Sequence, residues 1–201
     1  MIKFKLTTRD DRTGVRSGII KSQKEPFVTP QRTLVSTEIN YQVKINDELK
    51  NIKYPNEIFL AQLKLDVNKL IKRDTKYYSS LIKQAQRYIP INNERVCIFK
   101  PLLGTYVWKV KNGEKHQAFV PLNKLNINLN ENQNKILMGS ILQIPSDTKY
   151  DGVLLPCTED KFQLNKFNSN LSLAHNYKEE NYISNLEIIP ELPQFLLELL
   201  L

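Results

Sequence analysis

The amino-acid sequence predicts an α+β chain: antiparallel strands at the N-terminus, a central helical pair, and a second β-rich segment. Three observations predict it. Residues 2–8 (IKFKLTT) alternate apolar and polar, which is the two-residue period of a half-buried strand. Between Pro55 and Pro90 the apolar residues recur at helical spacing. Between residues 95 and 121 the alternation returns around Asn112-Gly113, a pair that favours the φ > 0 conformation of a tight hairpin turn.

Taken in order, Asp10, Asp11, Thr13 and Gly14 break the first run and suit a turn. Residues 16–21 and 26–29 read as a hairpin pair around the polar loop Ser22–Glu25, and residues 33–45 as further extended chain. Asn56 is placed to cap a helix marked by Phe59, Leu63, Val67, Leu70 and Ile71, running through Arg73. Asp74 caps the second helix, whose apolar side is Tyr77, Tyr78, Leu81, Ile82, Ala85, Tyr88 and Ile89, and Pro90 stops it. In the following hairpin, Trp108 and Phe119 are expected to cover a core, with an aromatic platform for bases as the alternative. The apolar runs 136–144 (ILMGSILQI) and 152–155 (GVLL) are expected to be buried strands. The chain thus divides into a β-rich region over 1–54, a basic helical pair over 55–90, and a β-rich region with an apolar tail over 91–201.

Composition narrows the function. The hydrophobic fraction of 41% suffices for a core. The net charge of +8 is unevenly spread: residues 1–125 hold 24 Lys/Arg against 11 Asp/Glu, and residues 126–201 hold 5 against 10. A front part at +13 and a back part at −5 point to a polyanionic partner for the front: tRNA, another RNA, or DNA. The candidate contacts are Arg32 and the outward cations of the helical pair, Lys64, Lys69, Lys72, Arg73, Lys76, Lys83 and Arg87. The last stretch, IIPELPQFLLELLL, is so apolar from Phe195 to Leu201 that it is expected to dock on a protein partner, with packing on its own domain as the alternative. No run reaches the roughly 18 apolar residues of a membrane span. Met1 to Leu6 does not read as a signal peptide. Cys97 and Cys157 stand far apart without CxxC spacing, as in a cytoplasmic chain with reduced thiols.

Catalytic patterns are few. Only 6 glycines are present and none forms a phosphate-cradling loop. Ser36, Ser79, Ser80 and Ser140 lack a GxSxG context. His116 and His175 have no ligand partners at metal spacing, so no metal or cofactor is expected. Asp10-Asp11 and Glu159-Asp160 suit capping or solvated turns. A nuclease using Asp10, Asp11, Glu38 or Glu57 with a divalent metal stands as one alternative. A non-enzymatic accessory subunit of a CRISPR, transposition or ribonucleoprotein assembly is another.

One segment points further. Phe4, Arg16, Gly18, Ile20, Thr29, Pro30, Val35 and Thr37 follow an F…RxGxI…TPxFxPVxT order. This block resembles the N-terminus of the tRNA-guanine transglycosylase family, including its DNA-modifying relatives. The resemblance covers about residues 4–37. It implies a small antiparallel sheet leading into the first strand of a (β/α)₈ barrel, and exchange of guanine for a 7-deazaguanine. Arg32 and Leu34 depart from the block, and the family's catalytic blocks and cysteine-rich zinc site are not found. A complete barrel takes about 250 residues, against 201 here. The resemblance therefore implies an incomplete barrel and a nucleic-acid-binding module in a tRNA- or DNA-modifying or defence system, dependent on a partner chain for its chemistry.

Overall fold

The computed structural model describes residues 3–9, 16–21, 27–29, 33–35, 58–89, 96–125, 128–155 and 164–190. Alternating sequence at the N-terminus gives β1 (Lys3–Arg9) and β2 (Arg16–Lys21), which pair antiparallel with Lys3 opposite Lys21 and Leu6 opposite Gly18. β3 (Phe27–Thr29) joins the other side of β2 and completes a three-stranded antiparallel sheet. The expected strand and hairpin pair are therefore present.

A second sheet has six strands. Its spine, β4 (Thr33–Val35), β5 (Ile58–Asp66), β6 (Cys97–Lys111), β8 (Gly152–Leu155) and β9 (Glu187–Pro190), is parallel throughout and laid down in chain order. β7 (Glu114–Pro121) pairs antiparallel with the distal half of β6. Between the parallel strands come α1 (Val67–Ile71), α2 (Thr75–Gln86), α3 (Glu131–Asp147) and α4 (Leu164–Glu180). Strands added in chain order through crossovers of one hand place such helices on one face of a sheet. α3 accordingly packs against α1, α2 and α4. The core lies between these helices and the sheet. Ala61, Leu63 and Leu65 of β5, Cys97 and Phe99 of β6, and Val153 and Leu155 of β8 meet Leu81, Ala85, Leu137, Ile141, Leu142 and Ala174.

The α+β class holds, with a mostly parallel sheet. Among the described residues the sheet is open and no barrel closes. It also draws strands from all three sequence segments, since Leu34 pairs with Phe59 and Phe59 with Cys97.

Three expectations are corrected. The first helix of the central pair is instead strand β5 followed by the five-residue α1. Phe59, Leu63 and Val67 fit a helical period, but Ala61, Leu63 and Leu65 also fit the strand period, and hydrogen bonding to β4 and β6 decides between them. The run 136–144 is helix α3, not a strand. Its Asn130 side chain accepts from Gln133 N while the Gln133 side chain accepts from Asn130 N, a capping box. Neighbours on several sides bury Leu137, Met138, Gly139, Ile141 and Leu142, so no polar stripe marks the helix. With α3 and α4, the region after residue 91 is therefore a mixed α/β stretch and not simply β-rich.

Candidate nucleic-acid interface

The basic residues singled out by sequence separate into two groups. The first surrounds the turn between α1 and α2, at the carboxyl edge of β5. Asp66 caps α1, its Oδ1 accepting from Asn68 N at 3.1 Å and Lys69 N at 3.4 Å. The helix closes with Arg73 in the left-handed region, φ 54°: Arg73 N donates to Leu70 O at 2.9 Å and Asp74 N to Lys69 O at 3.1 Å. Asp74 then caps α2 through Tyr77 N at 3.0 Å. This tight reversal brings Lys69, Lys72, Arg73 and Lys76, all exposed, onto one corner. Lys69 Nζ lies 5.0 Å from the Tyr77 ring centroid.

The second group is Lys83 and Arg87, at the other end of α2. They share a stripe with Lys76, at i, i+7 and i+11, opposite the buried Leu81 and Ala85. Tyr150, which precedes β8, donates its hydroxyl to Ala85 O at 2.8 Å, so this end of α2 lies at the amino edge of the sheet. Burial pushes the Tyr150 hydroxyl up, with lesser contributions from Cys97 and Tyr88.

Lys64 belongs to neither corner. It projects from the sheet face opposite to the helices, with its Nζ 5.5 Å from the centroid of Phe119. Arg32 lies outside the described residues, as do Asp10, Asp11, Glu38, Glu57 and the apolar Phe195–Leu201 tail. Among the described residues no cluster of His, Cys, Asp or Glu has metal-binding geometry.

Sequence reasoning preferred a core role for the aromatic residues at this edge. β6 is 15 residues long and outruns its parallel neighbours. Beyond Gly104 it pairs only with β7, so the hairpin projects past the sheet, closed by Asn112 (φ 53°) and Gly113 (φ 81°). Both faces of this two-stranded ribbon meet solvent. Trp108, expected over a core, is instead 67% exposed, and Tyr106 is 41% exposed. Tyr106 and Phe119 pack edge to face at 5.3 Å. The signal available in sequence was VWKVKNGEKHQ, where lysines flank the turn on both strands and alternate with Trp108 and Val110.

The base of the ribbon is fixed by a buried polar network. Thr105 Oγ1 donates to Asp66 Oδ1 at 3.3 Å and accepts from Asn68 Nδ2 at 3.0 Å. Asp66 N donates to the Tyr77 hydroxyl at 2.7 Å, and burial is the largest of the effects raising that hydroxyl's pKa. One carboxylate thus ties β5, α1 and β6 together where the ribbon leaves the sheet.

On the helical side a cleft of about 860 Å³ opens between α2, α3 and α4, lined by both signs of charge, among them Arg73, Asp74, Lys135 and Glu180. Tyr78 donates to Asp147 Oδ2 at 3.1 Å, and burial, then Asp147, raises its pKa.

Among the described residues, none of the cations on the α1–α2 corner or on the ribbon forms an ion pair with a carboxylate. No helix of the described residues is long and apolar enough to cross a membrane. No protein-family model matches the chain, and no curated protein matches it.

Proposed function

We propose that this chain is a nucleic-acid-binding module of a transglycosylase-like base-exchange system, acting with a partner chain that carries the chemistry. The observation that carries the binding part is the unpaired cation cluster at the carboxyl edge. Lys69, Lys72, Arg73 and Lys76 outnumber the Asp66 and Asp74 carboxylates at one turn and, among the described residues, form no ion pair with either. A local excess of exposed cations draws a polyanion to this turn. In open parallel sheets and barrels alike, ligands gather at the carboxyl ends of the strands, where this cluster sits.

The base-exchange part rests on the N-terminal block of residues 4–37. Two features of the fold support it. A small antiparallel sheet of β1, β2 and β3 precedes β4, the first strand of the parallel sheet. The parallel strands then follow one another in chain order, as in a segment of a (β/α) barrel. The apolar C-terminal tail is assigned to the partner chain.

The test is equilibrium binding to tRNA and to DNA as salt is raised, for the wild-type chain and for charge-reversed variants of each corner. Binding that is steeply salt-dependent and lost on reversing Lys69, Lys72 and Lys76 supports the reading. Absence of binding at low salt overturns it.

A further inference from the structure

Resting on that reading, we infer that the β6–β7 ribbon is a stacking platform for unpaired bases, so that the nucleic acid bound is single-stranded where it meets the protein. Directly opposed residues in an antiparallel pair point the same way, and alternate residues along a strand do too. Tyr106, Trp108 and Val110 therefore share one ribbon face with their partners Phe119, Gln117 and Lys115. Lys64 joins this face at its base, over the Phe119 ring. The face is a run of aromatic surface with an ammonium group at each end.

Exposure of this surface is costly. A tryptophan carries some of the largest apolar area of any side chain, and at 67% exposed Trp108 leaves most of it in water, next to Val110 at 67%. The platform is nonetheless held in place. Gly104 gives the Phe119 ring room to lie against β6, since a Cβ there would stand 2.6 Å from Phe119 Cζ. Phe119 in turn supports Tyr106 edge to face. The Asp66, Asn68 and Thr105 network anchors the strand one residue before Tyr106. Tyr106 and Phe119, held in this way, lose little conformational freedom on binding.

The charge selects the occupant. An apolar protein surface seated on this face would have to desolvate Lys64 and Lys115. A nucleic-acid strand offers those lysines phosphates, and offers Trp108 and Tyr106 the π-faces of its bases. In a duplex those π-faces are already stacked on one another, whereas loops, bulges and single strands present them.

The experiment uses the intrinsic fluorescence of the full chain. Trp108 is the sole tryptophan, so the signal comes from the platform alone. The probes are a 12-nucleotide single-stranded RNA, the same sequence as DNA, and the corresponding duplexes. The expected result is quenching by the single strands at lower concentration than by the duplexes. Trp108→Ala, read by the anisotropy of a fluorescein-labelled strand because the variant has no tryptophan, should weaken single-strand binding roughly 5- to 150-fold, the range for losing one base–aromatic stack. Its salt dependence should stay as in wild type, and Trp108→Phe should restore most of the affinity. Circular dichroism of each variant should match wild type, because Trp108 is an exposed side chain. Binding that Trp108→Ala leaves unchanged, or that favours duplex, overturns the platform while the proposed function stands. Failure of every probe to bind at low salt overturns both.

Discussion

Removal of the Asp66 carboxylate tests how the interface is built. Asp66 is 4% exposed and Thr105 8%, and their contact joins the carboxyl end of β5 to the root of the ribbon. Asp66→Ala leaves Asn68 N and Lys69 N at the start of α1 without their side-chain acceptor. Losing an N-cap costs about 1 kcal/mol. Leaving the buried Thr105 hydroxyl without its acceptor adds about 1–3 kcal/mol. The expected total is about 2–4 kcal/mol, and in a chain of this size each kcal/mol lowers Tm by roughly 2–4 °C. Asp66→Asn keeps an acceptor oxygen at the same place and should cost about 1 kcal/mol. The assay is urea unfolding of wild type, Asp66→Ala, Thr105→Val and the double variant. Because the two residues touch, the cycle should show a coupling of about 0.5–1.5 kcal/mol. Hydrogen exchange should show faster opening of the amides after Thr105 in Asp66→Ala. A cycle additive to within about 0.3 kcal/mol, with unchanged exchange in β7, would refute the claim that this carboxylate holds the ribbon.

Two further predictions follow from packing and from buried hydroxyls. Gly104→Ala should destabilise by about 1–3 kcal/mol, because a Cβ there meets the Phe119 ring and the Val120 carbonyl oxygen; an unchanged urea midpoint would mean that the ring moves aside freely. Stability should also fall as pH rises above about 10. The buried Tyr150 hydroxyl keeps its proton in the folded chain while the unfolded chain ionises near 10. The unfolded state then binds fewer protons, which makes the slope negative, by up to about 1.4 kcal/mol per pH unit for this group. Tyr150→Phe should flatten the slope by that amount above pH 10 and change nothing in it between pH 7 and 9; equal slopes for the two proteins would contradict the assignment.

Local chemistry was legible wherever one residue type dictates one backbone state. Asn112-Gly113 marked the ribbon's turn, Asp74 marked the start of α2, and GVLL marked β8. Legibility failed where burial hid the period. β5 satisfies both periods over its apolar residues, and only its hydrogen-bonding partners resolve it. α3 is apolar on several sides because other helices surround it, and the Asn130–Gln133 capping box was the remaining clue. α4, rich in Asn and Ser, carries no strong stripe and was not anticipated. Within the candidate interface, the α1–α2 lysines were visible as a basic run. That they separate from Lys83 and Arg87 by the length of a helix was not, because it follows from the direction in which α2 returns across the sheet. Trp108 was assigned to a core by residue type alone. Its exposure comes from the length of β6, a tertiary fact that no local pattern encodes.

The most direct measurement is the salt dependence of nucleic-acid binding by two charge-reversed variants. Lys69→Glu/Lys72→Glu/Lys76→Glu alters the carboxyl-edge corner, and Lys83→Glu/Arg87→Glu alters the far end of α2. Counterion release predicts a slope of log K against log salt of about −3 for some four single-strand phosphates. Wild type should show that slope, the first variant a markedly shallower slope and weak binding, and the second near-wild-type behaviour. Equal loss from both variants, or binding that is indifferent to salt, would contradict it.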